Sequence, residues 1–427
     1  MTIPFKKVVV VYGSGSSYAS GYQVKVTIPP WRRWPIPGNR EIPPPLDRGF
    51  FNSALVWEIA HRLPALTLFI SRYFGVSDFK DVRPASPLGL EQVWSAADLS
   101  LRHQTLETFD WSGINKEYCD EANTWTHDDS DWGHLDCVWA NELDTEPRRV
   151  RENAIGGTPF KFLRDCQRQL HALIYLVYGE PVPPAERQPD HFAALHRLLT
   201  TEKNEQGKEQ PNGWKVQYIT FNYDACLEMS LSRTKVLYDY VSAAEQLAGG
   251  GFPEDFSQIF KLHGSLTWKL RTTHRQRVTW EPTCLPCDSG KLWAVRPNYR
   301  SPDATEQPAI IPPTWFKQEI NDESRTSDVL TQLILHQWEC ALAVLRQADL
   351  AVIVGYSFPK TDFHVERLFR LATMGKSRPF PILYCSGGGA IEPLERMQLS
   401  SIKVESVKGF EALCDPAVFK EALDRFH

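Results

Sequence analysis

The 427-residue sequence lacks the features that mark a membrane protein, a secreted protein or a nucleic-acid-binding protein. No apolar run approaches the roughly 20 residues that cross a bilayer. Lys6 and Lys7 precede only four consecutive valines, too short a run for a signal peptide. The formal net charge of −5 provides no general attraction to nucleic acid or to an anionic membrane. We therefore expect no membrane association and no direct binding of nucleic acid.

A complete zinc site is also lacking. Cys284 and Cys287 have the Cys-x2-Cys spacing of half a zinc site, but no second pair follows, and His274 alone does not complete four ligands. Free thiols are the favoured interpretation, and no metal is expected. The acidic stretch 127–136 fits no known cation-binding loop, so it is interpreted as a solvated loop, with a local metal site as the alternative.

The composition is that of a globular protein with a large core. Hydrophobic residues make up 42% of the chain and charged residues 23%, which excludes a disordered chain. The nine cysteines lie mostly in apolar stretches and are expected to be buried thiols. A reducing cytoplasm is the simplest location for such a protein.

Apolar runs of strand length alternate with helical periodicity at both ends of the chain. Strands are predicted within 6–17, at 215–221, at 350–354 and at 380–385. Helices are predicted within 51–75 and at 88–101, around 163–177, at 191–200, from about 224, over 330–345, at 363–374 and at 416–426. This alternation predicts an α/β fold with a doubly wound, Rossmann-like parallel sheet.

We expect one domain over 1–427. A helical insertion is expected at about 50–205, between the first two strands of the sheet. A small strand-and-loop region is expected at about 233–315, where it carries a His-Gly pair and the Cys-x2-Cys pair. Seven prolines place the segment 29–45 in a loop rather than in a helix or an inner strand.

Small and polar residues follow several predicted strands, as they do at the ligand-binding edge of a parallel sheet. A Gly/Ser turn after the first strand is suited to a pyrophosphate, although the third glycine of the dinucleotide fingerprint is missing. Asn222 and Asp224 follow the strand 215–221, where either one alone is most simply a helix cap. His263 precedes Gly264, and such a histidine is usually structural. Gly355 and Ser357 suit a phosphate or ribose hydroxyl, or simply a turn.

Taken in order, these segments resemble motifs of the sirtuin-like family, in particular its bacterial members. The matching segments are Gly13-Ser14-Gly15-Ser16-Ser17, Pro43-Pro44-Pro45-Leu46-Asp47-Arg48-Gly49-Phe50-Phe51, Thr220-Phe221-Asn222-Tyr223-Asp224, Lys261-Leu262-His263-Gly264-Ser265-Leu266, Ile311-Pro312-Pro313-Thr314-Trp315, and Ala348-Asp349 through Gly355-Tyr356-Ser357-Phe358-Pro359-Lys360-Thr361-Asp362. The resemblance spans about residues 6–400. Ser14 stands where the family usually has alanine, and the incomplete zinc ribbon argues against peptide deacylation.

The resemblance implies an enzyme that degrades NAD+ to nicotinamide and ADP-ribose, as in the anti-phage branch of the family. It implies catalytic roles for Asn222, which would orient the attacking water, and His263, which would accept a proton. The cofactor-binding set would be Gly13, Ser14, Gly15, Ser16, Ser17, Asp47, Asp224, Gly355, Tyr356 and Ser357. Asp224 would contact the nicotinamide amide, and the loop 29–45 would close over the cofactor.

The same resemblance implies that the enzyme is silent until infection. Control by self-assembly into a homo-oligomer is expected, or control by a separately encoded partner such as an ATPase, a helicase or an argonaute. Three alternatives stay open: a module that senses NAD+ or ADP-ribose without turnover, an NAD-dependent protein deacylase, and a partner-dependent nuclease.

Overall fold

A central sheet of seven parallel strands organises the protein in the computed structural model. The structure describes residues 6–26, 40–46, 49–60, 63–76, 87–102, 113–114, 116, 118, 160–178, 180–186, 188–236, 238–240, 257–272, 278–282, 306–311, 325–359, 362–388, 391–397, 399 and 401–426. The strands of this sheet are β1 (Lys7–Tyr12), β7 (Lys215–Thr220), β8 (Tyr238–Tyr240), β9 (Ser257–Lys261), β13 (Leu350–Val354), β14 (Phe380–Ser386) and β15 (Ile402–Lys408).

The strand order is β15-β14-β13-β1-β7-β9-β8, and each neighbouring pair is parallel. Strand β1 lies in the middle, with Tyr12 opposite Thr220 on one side and Val354 on the other. The carboxyl ends of the neighbouring strands therefore meet at one edge. The chain order reverses direction around β1, as it does in doubly wound sheets. The predicted α/β parallel fold is confirmed.

Helices cover both faces of the sheet. They are α1 (Ser14–Ala19), α6 (His191–Thr200), α7 (Cys226–Arg233), α8 (Arg325–Gln347), α9 (Phe363–Thr373), α10 (Glu392–Arg396), α11 (Phe410–Leu413) and α12 (Pro416–Asp424). Alternate residues of β1 belong to different cores. Val10 packs in the cluster with α6 and α12, whereas Val11 packs in the cluster with α8 and α9. Burial on both faces explains the uninterrupted valine run.

A helical subdomain with its own hydrophobic core lies in the chain between β1 and β7. Its helices are α2 (Ala54–Ala60), α3 (Pro64–Phe74), α4 (Leu90–Arg102) and α5 (Phe160–Tyr178), after one 3-10 turn at Phe50–Asn52. Tyr223 and Leu266 belong to the same core cluster, and the ring of Trp94 stacks on that of Tyr223. The subdomain thus packs against the residues that follow β7 and β9.

Short antiparallel strands complete the described secondary structure. They form the sheets β3-β2-β4 and β11-β10-β12 and the hairpin β5-β6, from β2 (Gln23–Val26), β3 (Arg40–Ile42), β4 (Glu180–Val182), β5 (Thr201–Lys203), β6 (Glu209–Pro211), β10 (Gly264–Thr272), β11 (Val278–Pro282) and β12 (Glu306–Ile310). Of the proline-rich segment 29–45, residues 29–39 lie outside the described residues, and residues 40–42 form strand β3 where the sequence predicts a loop. This strand lies at a sheet edge, where neighbouring prolines are tolerated. Among the described residues, no helix combines the length and the hydropathy of a membrane span.

Candidate functional site

A cavity of about 340 Å³ lies at the carboxyl edge of the central sheet. Residues that follow β1, β7, β9, β13 and β14 form one side of it, and residues of the helical subdomain form the other. Its lining residues are Ser14, Gly15, Pro44, Pro45, Leu46, Leu90, Glu91, Tyr178, Phe221, Asn222, Tyr223, Asp224, His263, Gly355, Tyr356, Ser357, Pro359, Asp362, Tyr384, Ser386 and Gly387.

Most of the predicted site residues line this one cavity. They are Ser14, Gly15, Asn222, Asp224, His263, Gly355, Tyr356 and Ser357. Gly13, Ser16 and Ser17 are not among its lining residues, and both serines are fully buried. Asp47, Cys284, Cys287 and the acidic stretch 127–136 lie outside the described residues.

The side chain of Asn222 links the end of β7 to the start of α1. Its Nδ2 donates to the Gly13 carbonyl oxygen (3.1 Å) and to Ser17 Oγ (2.8 Å). A carbonyl oxygen can only accept, so this contact fixes the orientation of the amide. Asn222 Oδ1 is buried and has no hydrogen-bond partner among the described residues. Asn222 is therefore not a helix cap, and it presents a buried acceptor whose desolvation costs about 1–3 kcal/mol.

Asp224 has a capping role as well as a place in the cavity wall. Its Oδ1 accepts from the backbone N–H of Cys226 (3.0 Å), the first residue of α7, and from Ser17 Oγ (3.1 Å). Behind it, Lys261 Nζ donates to the Asp224 carbonyl oxygen over 2.6 Å. Asp224 is therefore held from three directions at the position where it lines the cavity.

The Gly/Ser segment is the beginning of a helix rather than the turn that the sequence predicts. Its glycines allow close packing against the loop after β13: a Cβ on Gly15 would lie 2.8 Å from the Gly355 carbonyl oxygen. The N–H groups of Gly13 and Gly15 donate to the carbonyl oxygens of Val354 and Gly355, both at 3.0 Å. These bonds leave the segment fewer backbone donors for a pyrophosphate than the sequence alone suggests.

His263 lies at the turn between β9 and β10. Gly264 has φ 79°, a left-handed conformation that favours glycine, and this accounts for the His-Gly pair. The Ile311 N–H donates to the His263 carbonyl oxygen (2.9 Å). The imidazole packs edge-on against Phe221, with ring centroids 5.3 Å apart. The ring is therefore fixed by backbone and aromatic contacts and is only 5% exposed.

Asp362 is not among the site residues that the sequence predicts, but it faces this histidine. Its Oδ2 lies 3.6 Å from His263 Nε2 and accepts from the Tyr356 hydroxyl over 2.5 Å. The segment 355–362 was part of the family resemblance, but only its first three residues were assigned a role. No local pattern distinguishes Asp362 from an ordinary helix cap, because the residue comes immediately before α9.

The wall formed by the helical subdomain contributes one more carboxylate. Glu91 of α4 is 5% exposed and lines the cavity together with Leu46 and Tyr178, whose hydroxyl donates to the Pro45 carbonyl oxygen (2.8 Å). Helical periodicity alone gave no reason to single out this glutamate. Three acidic residues and no Lys or Arg stand among the described lining residues. The cavity is therefore suited to a ligand that carries positive charge near the carboxylates.

Other ionisable side chains around the site are held neutral. Burial raises the pKa of Tyr384, whose hydroxyl donates to the Tyr356 carbonyl oxygen, to about 12. Burial also raises the pKa of the Cys226 thiol. The five cysteines in the described part are free thiols, and four of them are buried, as the sequence predicts. No group of three or more His, Cys, Asp or Glu among the described residues is arranged to hold a metal ion.

Comparison with known proteins identifies only distant similarity. No family model and no curated protein matches the sequence. Among solved structures, the chain is similar to a Sir2 enzyme studied for its mechanism and regulation, at 12% identity over 55% of this chain and 69% of that one, with a TM-score of 0.28. It is also similar to Sir2 in complex with the inhibitor EX-527, 2′-O-acetyl-ADP-ribose and a deacetylated p53 peptide, at 10% identity over 67% and 91%, with a TM-score of 0.29. Likeness at this level carries no argument about function.

Proposed function

We propose that the protein is an NAD+ hydrolase that cleaves the bond between nicotinamide and ribose. The observation that carries this proposal is the meeting of Asn222, Asp224 and His263 in one cavity at the carboxyl edge of a doubly wound sheet. That edge is where such sheets bind nucleotides. The ordered resemblance of the surrounding segments to sirtuin-like motifs supports NAD+ as the nucleotide.

The residues present fit this substrate. The buried Oδ1 of Asn222 is an acceptor for a water or ribose hydroxyl. The carboxylates of Asp224 and Glu91 suit the cationic nicotinamide ring, and Asp224 suits its amide. Hydroxyl and backbone groups of Ser14, Ser357 and Gly387 remain for the phosphates and the adenosine ribose. Ser16 and Ser17 would act indirectly, since they hold Asn222 and Asp224 in place.

Each reacting residue has one role in the proposed hydrolysis. Asn222 orients the attacking water, and an amide is suited to this because it is not itself a nucleophile. His263 accepts a proton from the water or from a ribose hydroxyl. The water oxygen bonds to the ribose C1′, and the electrons of the broken C1′–N bond stay with nicotinamide. The products are nicotinamide and ADP-ribose.

Turnover is tested by incubating the purified protein with NAD+ and following nicotinamide and ADP-ribose by chromatography. His263→Ala and Asn222→Ala are expected to fold normally and to lose nicotinamide release. Asp415→Asn is a matched control, because Asp415 caps α12 through the Ala417 and Val418 N–H groups and does not line the cavity.

Three other outcomes would replace the proposal. Tight binding of NAD+ or ADP-ribose without release would identify a sensing module. Release that depends on an acyl-lysine peptide would identify a deacylase. Normal release by both His263→Ala and Asn222→Ala would show that the wrong residues have been chosen.

We further propose that this activity serves anti-phage defence in the cytoplasm and is controlled by assembly. Loss of NAD+ kills a cell, so the enzyme has to be inactive before infection. The resemblance to the bacterial sirtuin-like branch supports a homo-oligomer or a separately encoded ATPase, helicase or argonaute as the activator. The test is light scattering on size-exclusion chromatography, with and without the product of a neighbouring gene, alongside turnover. A strict monomer whose activity no partner changes would contradict control by assembly.

A further inference from the structure

Asp362 occupies the N-cap position of α9 without capping it. Aspartate is favoured at this position because its side chain usually accepts from the N–H groups of the first helical turn. Here the side chain makes no such hydrogen bond. In α6 and α12, by contrast, Asp190 and Asp415 do accept from first-turn N–H groups. The carboxylate of Asp362 is therefore held for contacts other than helix capping.

Those contacts are with His263 and Tyr356. Asp362 Oδ2 lies 3.6 Å from His263 Nε2, too long for a hydrogen bond but close enough for a charge interaction when the imidazole is protonated. The same oxygen accepts from the Tyr356 hydroxyl over 2.5 Å. All three residues are buried, with Asp362 only 3% exposed. Contacts of this kind often shorten when the substrate binds.

The loop that carries Asp362 is fixed at several points. Phe358 has φ 48°, an unusual left-handed conformation for a residue with a side chain. Its carbonyl oxygen accepts from Arg396 over 2.5 Å, and the Tyr356 carbonyl oxygen accepts from the Tyr384 hydroxyl over 2.9 Å. The Asp362 N–H donates to the Pro359 carbonyl oxygen (2.9 Å). Strained backbone kept in place by such contacts is typical of functional loops.

We propose that Asp362 is a positioning residue for His263, an inference that rests on the proposed hydrolase function. The carboxylate orients the imidazole and stabilises the imidazolium that forms when His263 takes a proton. Tyr356 limits this effect because its hydroxyl donates to the same oxygen. In this role Asp362 acts through His263 rather than on the substrate.

The pH dependence of the reaction distinguishes this role from a merely structural one. The other titratable residues that line the cavity around His263 are Glu91 from α4, Tyr178 from α5, Tyr223 and Asp224 after β7, and Tyr384 from β14. The Asp362 carboxylate lies 3.6 Å from His263 Nε2, close enough to form an ion pair with the imidazole when it is protonated. Removal of its charge makes the imidazole easier to deprotonate. The acid limb of the kcat/KM profile should therefore move to lower pH.

The experiment compares wild type, Asp362→Asn and Tyr356→Phe. Asp362→Asn should shift the acid limb to lower pH by about one unit and lower kcat at least about tenfold, while KM changes by less than about twofold. Tyr356→Phe removes the competing donor and should shift the acid limb to higher pH. Asp415→Asn should match wild type in activity. If both site variants keep the wild-type acid limb, the inference is wrong.

A second readout does not require turnover. The imidazole of His263 is titrated by NMR in labelled protein, with His263→Gln used to assign the signals. Its half-protonation should occur at lower pH in Asp362→Asn and at higher pH in Tyr356→Phe. If wild type releases no nicotinamide, the proposed function fails, and this titration alone decides the inference. If circular dichroism shows that Asp362→Asn is unfolded, the titration of His263 in Tyr356→Phe decides the inference. A titration identical to that of wild type in this variant would overturn it.

Discussion

Lys261 Nζ lies 2.7 Å from Glu228 Oε1, and both side chains are completely buried. The Tyr240 hydroxyl donates to the same glutamate oxygen (3.0 Å), while the lysine also donates to the Asp224 carbonyl oxygen (2.6 Å). The pair thus connects β9 and α7 directly beneath the cavity. The ion pair and these hydrogen bonds offset part of the cost of burying two charges, although Glu228 Oε2 is buried without a hydrogen-bond partner among the described residues.

Removal of one partner of this pair should destabilise the fold strongly. Lys261→Met leaves a buried carboxylate without its cation, and we expect a loss of about 3–5 kcal/mol in the free energy of unfolding. The measurement is urea denaturation. The double variant Lys261→Met/Glu228→Gln should lose less than the sum of the two single variants. Additive losses would show that the two charges do not depend on each other.

Gly355 should tolerate no side chain. Its φ is 65°, and a Cβ would lie 2.1 Å from the backbone nitrogen of Ser16 and 2.4 Å from the Gly15 carbonyl carbon. Gly355→Ala should therefore push α1 away from the loop after β13, with loss of turnover and a drop in melting temperature. Gly375→Ala is the control: its φ is 77°, but nothing lies within 4 Å of the added Cβ. Gly375→Ala should lose only the free energy of placing a residue with a Cβ in the left-handed conformation, about 1–2 kcal/mol. It should retain turnover. Equal effects of the two variants would contradict the close approach.

Glu91 should discriminate between charged and neutral forms of the nicotinamide ring. Its buried carboxylate attracts the positive charge of NAD+, which the dihydronicotinamide ring of NADH lacks. Glu91→Gln should weaken NAD+ binding by about tenfold, or about 1.4 kcal/mol, and leave NADH binding nearly unchanged. Isothermal titration calorimetry with both nucleotides measures this in a His263→Ala background, which is expected not to consume NAD+. Glu411→Gln, at an exposed glutamate of α11, should change neither affinity. An equal loss for both nucleotides in Glu91→Gln would argue against a charge-based role.

Two partly buried histidines should make the fold sensitive to acid. Burial lowers the pKa of His171 and that of His196 to about 4, from an ordinary value of 6.5. Between these pH values the unfolded chain binds protons that the folded chain does not. Stability should therefore fall as pH falls from 6.5 towards 4, by at most about 1.4 kcal/mol per pH unit for each histidine, and these groups add nothing further below about 4.

The check is the urea midpoint at about pH 7, 5.5 and 4.5. His171→Gln/His196→Gln should show a flatter dependence than wild type, since glutamine binds no proton in either state. Parallel curves for the two proteins would assign the acid sensitivity to other groups. His171 packs against the Trp94 ring, and His196 Nδ1 forms a hydrogen bond with the Tyr218 hydroxyl. The two single variants measure the stability lost with each of these contacts.

Local patterns were enough to predict the parallel sheet. The helix His191–Thr200 and the strand Leu350–Val354 have the bounds that periodicity predicts. Burial on one or both faces of an element imposes a recognisable pattern of apolar residues on its sequence. Strand β15 was missed. It lies at a sheet edge and is largely exposed, so few apolar residues mark it.

The order of residues along the chain predicts the sheet, its polar carboxyl edge and most of the residues that meet there, since each depends on neighbours in sequence. The way in which these residues are used became visible in the folded protein. The structure shows that Asn222 reaches back to α1 rather than capping α7, that the glycines of the first motif pack against Gly355, and that Asp362 faces His263 instead of its own helix. These roles arise from contacts between segments that are distant along the chain. The local sequence around a side chain that caps a helix does not differ from that around a side chain that makes other contacts.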